Sequence, residues 1–192
     1  MTPGAGELIV RAETARDVDA TREVVAAAFG DEPVAELLDG LRASSAWRGL
    51  SYVAEQDGRV VGHVSYSRGW LDAARRLVEV LVLSPLSVAP DVQRAGVGST
   101  LVRRTLERLQ DRPEPLVFLE GSPAYYGRLG FRPGVPSGFA PPSIRIPEAA
   151  FQFVALPSYQ AWMTGALVYP DVFWEHDAVG LRDHPSADRG PT

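Results

Sequence analysis

Apolar residues along this chain recur in two rhythms, and each change of rhythm marks an element. Residues 7–12 predict a first strand. Val18, Val25, Ala28 and Phe29 then recur at helical spacing, which predicts a helix over residues 15–29. Thr14 stands where an N-cap belongs, with Asp17 three residues on as an imperfect capping box. Pro33 suits the first turn of a second helix, with Val34, Leu37, Leu38 and Leu41 on its apolar face. Residues 51–55 and 60–70 read as two strands, and Gln56-Asp57-Gly58-Arg59 between them has hairpin turn chemistry. Residues 78–83 form a third apolar run, which residues 86–88 continue after Pro85.

A longer helix is predicted over residues 94–110, with Val97, Leu101, Val102, Thr105, Leu106 and Leu109 on one face. Asp111-Arg112-Pro113 ends it. Residues 116–119 predict a short buried strand, Pro123 opens a short helix closing at Gly130, and Phe131-Arg132 starts another strand. Residues 151–156 are strand-like, and residues 165–169 are a weaker candidate. The order is β, α, α, β, β, β, α, β, α, β and then a β-rich tail. Its middle is a βαβ crossover, so the class is α/β with a mixed sheet. One domain over residues 7–182 is expected, with 133–182 its less typical part. Residues 1–6 and 183–192 are Gly-, Pro- and Asp-rich and are expected to be disordered. Residues 133–147 form the one long irregular loop, a kind that is functional or disordered in compact domains.

Composition narrows the chemistry. The 192 residues are 45% hydrophobic and 22% charged, as in an ordinary globular domain able to bury its own core. The absence of cysteine removes thiol nucleophiles, zinc-thiolate sites and iron–sulfur clusters. A net charge of -5 argues against a nucleic-acid partner. His63, His176 and His184 are scattered, so no metal is expected. No apolar run approaches the roughly 20 residues that span a bilayer. The first residues lack a secretory pattern. The expectation is a cytoplasmic protein without a membrane partner.

The informative stretch is Leu83-Ser-Pro-Leu-Ser-Val-Ala-Pro-Asp-Val-Gln-Arg-Ala-Gly-Val-Gly98. A strand ends, a glycine turn follows, and a helix starts at once. Such a turn aims successive backbone N–H groups at the positive end of a helix and cradles a pyrophosphate. Gly96 and Gly98 have no Cβ to hold an anion off, and Ser99 adds a hydroxyl. A Walker loop is excluded because the chain has no lysine. A Rossmann fingerprint is rejected because its third glycine would fall at Leu101.

Gln93-Arg94-Ala95-Gly96-Val97-Gly98 resembles the acyl-CoA signature of the GNAT N-acetyltransferases. Pro123-Ala-Tyr-Tyr-Gly-Arg-Leu-Gly-Phe131 resembles their second block, and the pair is similar to the YhbS-like subgroup. The resemblance implies a GNAT fold: a mixed, mostly antiparallel sheet of about six or seven strands flanked by helices. Two of those strands splay apart to form the acyl-CoA cleft. Pro85, which donates no ladder bond, fits the bulge or edge there. The main chain of Leu86, Ser87 and Val88 is expected to pair with pantetheine. Gln93, Arg94, Ala95, Gly96, Val97, Gly98 and Ser99 are expected to bind the pyrophosphate of acetyl-CoA, with Tyr125 beside them.

The implied reaction is direct acyl transfer to a primary amine of a small molecule or protein. Tyr126 matches the family's general acid by its spacing to Gly130-Phe131, and it also suits a core aromatic. Glu120, at a strand end, is a candidate base. Glu79, a carboxylate within an apolar strand, is another candidate, for ordering a water or binding ammonium. His63 reads more readily as a packed strand residue. Trp70, Trp162, Phe173 and Trp174 suit an acceptor site, the core or a homodimer interface. The alternative function is an acyl-CoA-binding regulatory module without turnover. The first helices and residues 133–147 are expected to shape the acceptor pocket.

Overall fold

The computed structural model describes residues 6–30 and 32–182. The expected disorder at the termini concerns residues 1–5 and 183–192, which lie outside the described residues. Gly6 is held, its carbonyl accepting a bond from Gln56 Nε2 at 2.9 Å.

Strands β1 (Ile9–Ala12), β2 (Trp47–Gln56), β3 (Arg59–Ala73) and β4 (Arg76–Val88) form an antiparallel meander. Gln56 pairs with Arg59. The two residues between, Asp57 (φ 53) and Gly58 (φ 75), turn left-handed, as a two-residue hairpin requires. Helices α1 (Val18–Phe29) and α2 (Pro33–Ala43) lie between β1 and β2 in sequence. The start of α1 falls at Val18, one turn later than its periodicity suggests. Asp17 is responsible: its carboxylate takes the N–H and hydroxyl of Thr14, at 2.8 and 2.7 Å, and ion-pairs with Arg11 at 2.7 Å.

The chain then crosses through α3 (Val97–Arg108) to β5 (Leu116–Glu120), which lies parallel to β4. After the short α4 (Pro123–Tyr126), the remaining strands are β6 (Arg132–Pro133), β7 (Phe139–Ala140), β8 (Phe151–Ala155) and β9 (Gly165–Val168), and α5 (Asp171–Glu175) follows. Among the described residues the sheet has nine strands, with the main order β1-β2-β3-β4-β5-β8-β6; β9 pairs with the far end of β3 and with β7. Strand β9 falls on the weaker candidate at residues 165–169, whereas β7 and α5 were not legible, because β7 is two residues long and α5 five. Residues 133–182 are woven into the same sheet.

Two cores line the two faces. On one, Leu81, Leu83, Val97, Leu101 and Val102 bind α3 to the sheet. Thr105 Oγ1 donates to Leu101 O at 2.7 Å, so the Tyr66 hydroxyl donates to Thr105 at 2.6 Å and pins the helix onto β3. On the other, Phe118 stacks on Phe151 at 5.6 Å and meets Phe139 edge-on at 5.0 Å, tying β5, β7 and β8 together. Aromatic pairs of this kind add about 0.5–1.5 kcal/mol each beyond their burial.

Candidate active site

The site grows from a defect in the sheet. Strand β4 pairs with β5 only at Leu81–Val117 and Val82–Phe118. Beyond them β4 runs on to Val88 and the two strands part, so the expected splay is present. On the β3 side the register jumps from Tyr66–Leu83 to Val64–Leu86. That leaves an extra residue in β4 at Ser84-Pro85, where Ser65 Oγ holds the Ser84 carbonyl at 2.8 Å. Pro85 thus sits at a bulge, where its missing N–H costs no ladder bond.

Alternation decides which main-chain groups face the opening. The Ala89 N–H donates to Val61 O at 2.9 Å, so Ser87 also bonds towards β3, and Leu86 and Val88 turn away from it. Val88 O confirms this by accepting from Gln93 Nε2 at 3.1 Å. Of the three residues expected to meet pantetheine, Leu86 and Val88 are so aimed; the backbone of Ser87 belongs to the β3 ladder.

The turn at the open end is built as the glycines suggest. Helix α3 begins at Val97, because Arg94 (φ 64) and Gly96 (φ 89) are left-handed and cannot continue a helix backwards. The first intrahelical bond runs from Thr100 N–H to Gly96 O, leaving the N–H groups of Val97, Gly98 and Ser99 without helical partners. Ala95 N–H is already directed to Val92 O at 3.4 Å. A Cβ on Gly98 would lie 2.7 Å from the Tyr125 hydroxyl, so glycine is what lets that tyrosine close over the turn. A cleft of about 520 Å³ results, lined by Leu86, Val88, Gln93, Arg94, Tyr125 and, unforeseen, Phe29 at the end of α1.

At the inner end the open edge of β4 borders a second hollow, of about 190 Å³, walled by Val82, Leu83, Ser84, Glu120, Tyr169, Phe173 and Ala178. Glu120 Oε2 accepts the Gly180 N–H at 3.2 Å, and the Tyr169 hydroxyl lies near enough to the carboxylate to favour its charged form. Burial pushes the Glu120 carboxyl above the ordinary range, against the pull of Tyr169, Gly180 and Arg145. Tyr126 lies over the end of the same strand: a Cβ on Gly121 would meet its ring at 2.3 Å. Its ring is held between Tyr125 and Phe131, with centroids at 4.9 and 5.6 Å. Burial raises the phenol well above 10, so it stays protonated at neutral pH.

Two candidates fall elsewhere. Glu79 is ion-paired with Arg48 at 2.7 Å and lines a different hollow, on the closed side of the β4–β5 pairing. An ion-pair partner, rather than a catalytic one, explains a carboxylate in that strand. His63 is fully buried, its Nε2 2.8 Å from Ser51 Oγ, and burial lowers its pKa to about 3, so it is a neutral core residue. Tyr169 was missed because a tyrosine ending an apolar strand carries no signal of its own. A separate hollow of about 570 Å³ opens where β2 and β9 part along β3; it holds Arg68 and the acceptor-site candidate Trp70, away from Glu120 and Tyr126.

Known proteins share this arrangement. Residues 10–134 match the acetyltransferase (GNAT) domain family. The Escherichia coli K12 protein YjhQ, described as an uncharacterized N-acetyltransferase, is 33% identical over 153 residues, which is 78% of this chain and 84% of that protein. The Escherichia coli GNAT protein YhbS, solved with CoA, superposes with a TM-score of 0.79 at 26% identity, over 90% of this chain and 95% of YhbS. A Brucella melitensis GNAT acetyltransferase, solved with acetyl-CoA, gives 0.69 at 30% identity, over 87% of this chain and 98% of its own. With the splayed strands, the glycine turn and the family match all on the same residues, the chain belongs to the GNAT family of N-acetyltransferases.

Proposed function

We propose that this N-acetyltransferase moves an acetyl group from acetyl-CoA directly to a primary amine of a small molecule or peptide. The observation that carries the reading is the parting of β4 from β5. It leaves the main chain of Leu86 and the N–H of Val88 open between an N–H cradle and two ionisable side chains at the end of β5. The residues fit the donor. Gly96 and Gly98 keep the cradle free of side chains, Gln93 and Arg94 rim it, and Leu86 and Val88 offer ladder groups to the pantetheine amides. The relatives solved with CoA and acetyl-CoA support the same donor here.

An alkyl ammonium with a pKa near ~10.4 is neutral in only about one part in a thousand at pH 7, a handicap of roughly 4–5 kcal/mol. Glu120 takes one proton from it. The neutral nitrogen forms the new C–N bond as the thioester C–S bond breaks, and Tyr126 gives its proton to the departing sulfur. The second ammonium proton restores Tyr126 through solvent, so the products are the amide, the thiol and one released proton. Calorimetric titration with acetyl-CoA, followed by thiol release with and without an amine, tests the reading. One donor site per chain and amine-dependent release are expected. Failure of acetyl-CoA, longer acyl-CoAs and CoA alike to bind would remove it.

A further inference from the structure

The hollow of about 570 Å³ bordered by α2, β3, β9 and α5 gathers three charges that the fold leaves unpaired. Strand β3 contributes Arg68, and α5 contributes Asp171 and Glu175, one helical turn apart. Among the described residues none of the three takes part in an ion pair. The volume lies within the roughly 300–1,000 Å³ of sites that hold whole small ligands.

Arg68 is fixed in place but not neutralised. Its guanidinium carbon lies 5.1 Å from the centre of the Trp70 ring, and Nη2 donates to Ser45 Oγ at 3.2 Å. Its Nε–H, shielded from solvent, has no partner. A stacked, partly buried guanidinium in that state favours a carboxylate that takes two N–H groups at once. Asp171 and Glu175 are exposed and stand at i and i+4, where like charges repel; an ammonium placed between them removes the repulsion.

We propose that this hollow is a second binding site and that it takes a short zwitterionic peptide, with a carboxylate at Arg68 and an ammonium at Asp171 and Glu175. Its two carboxylates disfavour a polyanion such as CoA, whereas the donor cleft is lined by Arg94 and Arg128 and by no acid. A bound peptide would touch Tyr169, which also lines the hollow beside Glu120. The small residues Gly40, Ala43, Ser44 and Ser45 leave room for more than a single amino acid.

The test titrates triglycine into the isotope-labelled protein without acetyl-CoA and follows the Trp70 indole N–H and the Tyr169 amide by NMR. Both are expected to shift saturably. N-acetyl-triglycine, which lacks the ammonium, and triglycinamide, which lacks the carboxylate, are each expected to bind about tenfold more weakly. Glycine, which leaves most of the hollow unfilled, is expected to do the same. Arg68→Gln is expected to remove the preference over triglycinamide and keep that over N-acetyl-triglycine. Asp171→Asn with Glu175→Gln is expected to do the reverse, and because both acids are exposed this variant tests the site even if Arg68→Gln lowers the Tm. Shifts that do not saturate, equal affinity for the three peptides, glycine bound as tightly as triglycine, or preferences that survive both variants would each overturn the site. Since acetyl-CoA is absent throughout, none of these failures touches the donor reading.

Discussion

The two ends of the β4–β5 opening are made of different materials. The outer end, from Leu86 to Ser99, works through main chain: the unclaimed N–H groups at the start of α3 and the free edge of a strand. Its glycines matter for what they lack. The inner end is built of side chains, Glu120, Tyr126 and Tyr169, each held by burial and by neighbours. Backbone recognition suits a ligand that every member of a family shares, because it survives changes of side chain. Side-chain recognition suits whatever differs between members, and here one of the three side chains, Tyr169, comes from beyond the matched region.

If this division is right, variants at the two ends fail in different ways. Glu120→Gln keeps the shape and removes the base; kcat/KM for the amine is expected to fall about 10²–10⁴-fold with the acetyl-CoA Kd unchanged. An equal loss of donor affinity would erase the distinction. Tyr126→Phe is expected to lower kcat about 10²-fold, again without weakening donor binding, and unaltered turnover would reject Tyr126 as the acid. Gly96→Ala acts at the other end. Its φ of 89° costs an L-residue about 1–2 kcal/mol, so the acetyl-CoA Kd should rise about tenfold while amine KM holds.

Tyr169→Phe sharpens the comparison most finely. The Glu120 carboxylate faces Tyr169, the Gly180 N–H and, further off, Arg145. Loss of the tyrosine hydroxyl removes a neighbour that favours the ionised form, so the Glu120 pKa is expected to rise. In the mechanism proposed above the base acts in that ionised form, and the acid limb of the kcat/KM profile is therefore expected to move to higher pH. A purely structural tyrosine would lower activity without moving that limb.

The same contrast governs what the amino-acid sequence discloses. The outer end was readable because backbone devices need special residues: Gly96 at positive φ, the Asp57-Gly58 hairpin, Pro85 at a bulge. Helix α3 was placed too early because periodicity is blind to φ, and Arg94 is left-handed without being glycine. The inner end was harder. Glu79 and Glu120 are both carboxylates on apolar strands, and only the fold puts Arg48 beside one and Tyr169 beside the other. That second partnership joins residues 49 positions apart in the chain, through a strand of four residues, which no local pattern records.

The narrowness of the β4–β5 join has a mechanical consequence. With two residue pairs holding them, the block of β1–β4 and the block of β5, β8 and β6 meet at a seam rather than across a full ladder, and Phe139 of β7 is the stitch between them, seated on Phe118 and Phe153. A pantetheine chain lying in the seam would serve as a missing rung. Deuterium uptake by the amides of β5 and β8 should then slow when donor binds, and slow more than uptake along the fully laddered β2 and β3. If the donor enters by this opening, as proposed, it completes the sheet where the ladder is least finished.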